Sequence, residues 1–71
     1  MFEYSKLKGK IIEVFGSQKK FARAMKMSER TLSLKLRGLV PWTQPEMFRA
    51  VQLLGEPVSS IDDFFYTLKV Q

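Results

Sequence analysis

The sequence predicts an all-α fold: a compact five-helix domain whose second and third helices form a helix-turn-helix. Three observations predict it. Apolar residues recur at three- and four-residue spacing through most of the chain, and no segment convincingly alternates as a half-buried strand would, although Phe65 to Val70 can be read as extended. Capping residues such as Ser17, Ser28 and Thr43, and stops such as Gly16, Gly38 and Gly55, punctuate it at helix-length intervals. Finally, 71 residues leave room for one domain, residues 1–71 with a core at about 5–68.

The first helix is expected from Tyr4 or Ser5 to Phe15, with Leu7, Ile11, Val14 and Phe15 as its buried stripe and Gly16 as its stop. Lys6, Lys8 and Lys10 lie on the solvated side, as a solubilising face or as phosphate contacts. Ser17 is a natural N-cap for a second helix from Gln18 to Met25, with Phe21 and Met25 facing the core and Ala22 where a crossing helix comes close.

Ser28 caps the third helix, which runs to Arg37 before Gly38 ends it. In the connection that follows, Leu39, Val40 and Trp42 are expected in the core, and Pro41 disfavours helix for Val40. Thr43 and Glu46 make a capping box for the fourth helix, with Pro45 tolerated in its first turn. Phe48, Val51 and Leu54 form its inward stripe, supported by Met47 and Ala50, and Gly55 terminates it. Ser59 or Ser60 caps a short fifth helix with Asp62 and Asp63 at its positive end and Ile61, Phe64, Phe65 and Leu68 inward. Residues from Lys69 are expected to fray.

Composition narrows the function. With neither cysteine nor histidine, the chain lacks a disulfide framework, thiolate metal ligands and the commonest general base. The serines therefore have no histidine to activate them, the four glycines form no phosphate-cradling loop, and neither an enzyme nor a cofactor is expected. No apolar run approaches the roughly 20 residues of a membrane span, and MFEYSKLKGK lacks a signal peptide's apolar segment, so a cytoplasmic protein is expected. The charge is lopsided. Residues 1–42 hold ten Lys or Arg against three Glu, whereas residues 43–71 hold two against four acids. A polyanion such as nucleic acid is the expected partner of the basic half.

The third helix is the expected reading head. At about 100° per residue, Leu32 and Leu36 point inward while Arg30, Ser33, Leu34 and Arg37 share the opposite side, flanked by Thr31 and Lys35. Arginine can fork onto guanine, serine can donate or accept, and an apolar side chain can meet a thymine methyl. Glu29 suits the helix start electrostatically, or accepts from a cytosine amino group. Gln18 and Lys19 at the second helix, and Thr43 at the fourth, are placed to hold phosphates.

Gln18, Phe21-Ala22, Met25, Met27-Ser28, Leu32-Ser33, Leu36 and Gly38 resemble the helix-turn-helix of phage repressors and Cro-type regulators, the lambda-repressor-like or XRE family. More narrowly, SERTLSLKLRG followed by PWT is similar to small early regulators of Gram-positive phages and prophages. The resemblance implies a five-helix domain that recognises double-stranded operator DNA, commonly as a dimer. It implies that Gln18 holds a phosphate, that Arg30, Ser33 and Leu34 read base edges, and that Arg37 sits near the backbone; Ser28 and Thr31 complete the expected DNA-contact set with Lys19 and Thr43. Two departures stand out: Lys26 replaces the glycine usual at the turn, where a left-handed backbone costs about 1 kcal/mol or more, and Lys35 replaces an apolar residue.

Two functions follow. The first is a transcriptional regulator that inserts the third helix in the major groove of an operator. The second is an antirepressor or modulator that binds a partner repressor protein, with Leu34 in the contact. For a homodimer, the fifth helix with Phe65, Tyr66 and Leu68 offers the best surface, unless those residues close the core.

Overall fold

The computed structural model describes residues 2–68. Helix α1 (Ser5–Phe15) begins without a cap from Tyr4; instead the Glu3 carboxylate accepts from the Ser5 N–H at 3.3 Å and the Ser5 hydroxyl at 2.6 Å. It ends at Gly16, whose φ of 84° only glycine adopts freely. Helix α2 (Gln18–Ala24) is capped by Ser17, whose hydroxyl oxygen accepts from the Lys20 N–H at 3.2 Å. Helix α3 (Glu29–Leu36) is capped by Ser28, which accepts from the Thr31 N–H at 3.0 Å. Helix α4 (Gln44–Leu53) has the full Thr43–Glu46 capping box with Pro45 in its first turn. A 3₁₀ turn (Val58–Ser60) leads into α5 (Ile61–Phe65).

Three of these helices close in one way. After α2, α3 and α4 the N–H two residues past the cap reaches back to a carbonyl in the last turn: Met27 to Ala22 at 3.0 Å, Leu39 to Leu34 at 2.9 Å and Glu56 to Val51 at 2.9 Å. Such a closure needs a left-handed residue, supplied by Gly38 and Gly55 in two cases. After α2 it is Lys26, at φ 60°, so the turn keeps its shape despite the unfavourable residue.

The result is a small all-α domain of five helices, with no strand among the described residues beyond an isolated antiparallel bridge between Phe2 and Leu68. Helix α1 packs on α2 and α5, α2 on α3, and α4 on α5. Leu7, Ile11, Phe21, Leu32, Val51 and Phe65 are fully buried at the centre. Around them the aromatic rings meet edge-on, Phe15 with Phe21 at 5.2 Å and Trp42 with Phe65 at 5.0 Å between centroids. This geometry adds to the area each ring buries.

Several residues expected inside are exposed, each for a local reason. Val14 lies outside because α1 presents Tyr4, Leu7, Ile11 and Phe15 to the core. Phe48 lies outside because the buried set of α4 is Met47, Ala50, Val51 and Leu54, spaced i, i+3, i+4, i+7, which leaves Phe48 on the flank. Leu39, 62% exposed, belongs to the closure of α3, and Val40 is only half-buried. Leu68 is exposed because α5 stops at Phe65, so the helical spacing no longer applies. Phe65 itself closes the core, which removes it from any dimer surface. Ser60 makes no side-chain cap; its hydroxyl donates to Glu56 at 3.3 Å. The expected fraying from Lys69 lies outside the described residues.

Candidate functional site

The α2–α3 pair brings together most of the residues singled out from sequence. Met25 to Ser28 form the turn between the two helices, and Phe21, Ala22, Met25, Leu32 and Leu36 hold them against the core. On the outer face of α3, Arg30 and Arg37 are exposed, while Ser33, Leu34 and Thr31 are half-buried. The guanidinium groups thus project from a surface whose middle is partly apolar. The closure of α3 brings the exposed Leu39 back to the Leu34 backbone.

Other expected contact residues are engaged locally. The Ser28 hydroxyl accepts from the Thr31 N–H and donates to the Thr31 hydroxyl at 2.8 Å, so both side chains serve the start of α3. Thr43 is exposed, yet its hydroxyl accepts from the Glu46 N–H at 3.3 Å. Gln18 is half-buried and Lys19 exposed at the start of α2, on a different element from the α3 group.

Lys35 departs most from expectation. Expected beside the exposed face, it is 5% exposed. Its ammonium donates to Glu46 Oε1 and to the Pro41 carbonyl, both at 2.8 Å, and lies 5.7 Å from the centre of the Trp42 ring. Glu46 Oε1 also accepts from the Thr43 N–H at 2.9 Å. Burial pushes the Glu46 carboxyl upward, but the Lys35 hydrogen bond and the Thr43 backbone N–H outweigh it and leave the group below its ordinary value. A buried ammonium is tolerated only with such partners. The bridge ties the end of α3 to the start of α4 and so sets how the outer face is presented. The signal for it lay in the sequence: Lys35 falls beside the inward arc of Leu32 and Leu36, and Glu46 was already assigned to a cap that leaves its carboxylate free to accept again.

Among the described residues no cluster of three acidic side chains is placed to hold a metal ion, and no helix is long and apolar enough to cross a membrane.

A family model described as a protein of unknown function, DUF739, matches residues 1–68. No curated protein matches the chain. Among solved structures, the chain is similar to the solution structure of the modulator of repression (MOR) of the temperate bacteriophage TP901-1 from Lactococcus lactis. The two are 44% identical, the match covers 99% of this chain and 95% of that one, and the TM-score is 0.81. This corrects the sequence reading. A Cro- or XRE-type repressor that reads operator DNA was expected, yet the relative matched over nearly the whole chain is a modulator of repression and not such a repressor. Of the residues carrying the resemblance, Phe21-Ala22, Met25, Leu32 and Leu36 are core residues and Ser28 and Gly38 start and stop α3, so most of them report how two helices are built and packed and not what their outer face touches. By the match across residues 1–68, the chain belongs to the DUF739 family.

Proposed function

We propose that this chain modulates phage or prophage repression by binding the repressor protein itself. The observation that carries this reading is the 44% identity over 99% of the chain with a modulator of repression. On this reading the α2–α3 pair is a lambda-repressor-like helix-turn-helix whose projecting face has become a protein contact, with Arg30, Ser33, Leu34 and Arg37 at its centre. Arginine beside partly buried apolar surface is the composition from which interface anchors are made. The excess of Lys and Arg in residues 1–42 would steer the chain toward an acidic patch on the repressor and raise the association rate.

The test is to mix the purified chain with the repressor from the same phage or prophage and follow complex formation by size-exclusion chromatography and calorimetry. A stoichiometric complex is expected, weakened at least about tenfold, or 1.4 kcal/mol, by Leu34→Asp at unchanged helicity. Separate elution of the two proteins at micromolar concentrations would overturn the reading.

A further inference from the structure

Away from the centre of the α3 face, two depressions share a wall made of Phe2 and Tyr4. One, about 200 Å³, is walled by Pro41, Trp42, Met47, Phe65 and Tyr66. The other, about 350 Å³, runs past Leu36 to Lys8 and Arg37. The two adjoin along Phe2 and Tyr4, and the pair forms a trough with one apolar half and one half that carries Lys8, Arg37 and Glu3.

The apolar end is built from fixed parts. Phe2 meets Tyr66 edge-on at 5.4 Å between centroids, the backbone of Phe2 bridges to Leu68, and the Tyr66 hydroxyl lies 3.5 Å from Met47 Sδ. Phe2 and Tyr66 nonetheless stay 41% and 47% exposed in the lining, and Leu68, bridged to Phe2, is 63% exposed. Trp42, in the wall, has the one buried side-chain donor without an acceptor among the described residues, its indole N–H. Clustered exposed apolar side chains rimmed by polar ones mark an interaction site. An apolar cavity of about 150 Å³ takes up benzene, so about 200 Å³ accommodates one large apolar side chain.

The cationic end selects the occupant. Among the described residues ion pairs join Lys10 to Glu13 and Glu56, and Lys35 to Glu46, while Lys8 and Arg37 are in none. Glu3 lines the same end with its carboxylate turned to the Ser5 N–H and hydroxyl, so Lys8 and Arg37 together still leave this end with an excess of positive charge. A second copy of this chain is disfavoured, because each copy carries a net charge of +5.

We propose that this trough docks a short segment of a protein partner in which a large apolar side chain is followed by carboxylates. The apolar side chain fills the Trp42–Met47 end, and the carboxylates pair with Lys8 and Arg37. The inference rests on the reading that the chain works by binding protein, and it adds a second contact beside the α3 face, with Arg37 common to both.

A display library of random dodecapeptides, selected against the full chain, tests it. Enriched peptides should join a Leu or aromatic residue to nearby Asp or Glu. They should displace the indole N–H resonance of Trp42, the single tryptophan, and bind about tenfold more weakly to Lys8→Glu and to Phe2→Ala, both at exposed positions. Circular dichroism of both variants controls for folding. No enrichment, enrichment of basic peptides, or binding that leaves Trp42 unmoved would overturn the proposal. A dimer in sedimentation that Phe2→Ala dissociates would overturn it in favour of self-association. Should the repressor bind while no peptide is selected, the trough fails and the α3 reading stands; peptides that bind without the repressor give the converse.

Discussion

Lys35 Nζ and Glu46 Oε1 lie 2.8 Å apart and join α3 to the start of α4, with the lysine the more deeply buried of the two. The asymmetry decides which partner can be lost. Removing the carboxylate strands a buried ammonium, which costs about 3–5 kcal/mol, whereas losing the lysine leaves a carboxylate that is 27% exposed to water and still accepts from the Thr43 N–H, a smaller penalty. Glu46→Gln should therefore lower the urea midpoint far more than Lys35→Met. Equal losses would mean that the pair is not buried as described.

The same carboxylate makes stability depend on pH. Its folded-state value is depressed, so the stabilisation is present above the unfolded value, 4.5, and is lost as pH falls through the folded one. Urea midpoints should fall below that pH, and Glu46→Gln should flatten the profile.

Lys26 occupies a left-handed turn position that glycine fills after α3 and α4. Lys26→Gly relieves about 1 kcal/mol of backbone strain, which in a domain of this size raises Tm by about 4–8 °C. Glycine adopts the same left-handed turn, so, on the proposed function, repressor binding should stay within about twofold, or 0.4 kcal/mol. Calorimetric melting checks the first and titration the second.

Phe21 is fully buried and meets Phe15 edge-on. Phe21→Ala costs about 3–5 kcal/mol. At about 0.05–0.15 kcal/mol per residue, the 71-residue chain has roughly 4–11 kcal/mol in total. The variant therefore loses a large part of this margin, and its Tm should fall by at least about 12 °C, at about 4–8 °C per kcal/mol, as read by the loss of helical circular dichroism on heating.

Local rules carried the fold further than the site. Ser17, Ser28 and the Thr43–Glu46 box start helices because a hydroxyl or carboxylate beside a free N–H needs no tertiary partner. Phe48 and Leu68 went astray because periodicity tells which residues share a face but not where that face is centred or where the helix stops. Lys35 borders the inward arc of Leu32 and Leu36, but that position becomes burial only through an acid eleven residues away, which helical periodicity alone does not supply. The outer face of α3 was read as a DNA surface because arginine, serine and leucine suit a groove and a protein equally. The trough was invisible, since it is assembled from Phe2, Trp42, Met47 and Tyr66, which no local pattern connects.

The pairing of Phe2 with Leu68 has a practical side. A bulky group placed beside Phe2 or Leu68 would crowd Tyr66, which meets Phe2 edge-on, and shield that side of the molecule from visitors. A pull-down built that way would lose partners that enter there while keeping those that grip α3. A cysteine engineered at Gln52, exposed on α4 and part of neither α3 nor the lining of either depression, would give a single attachment point elsewhere.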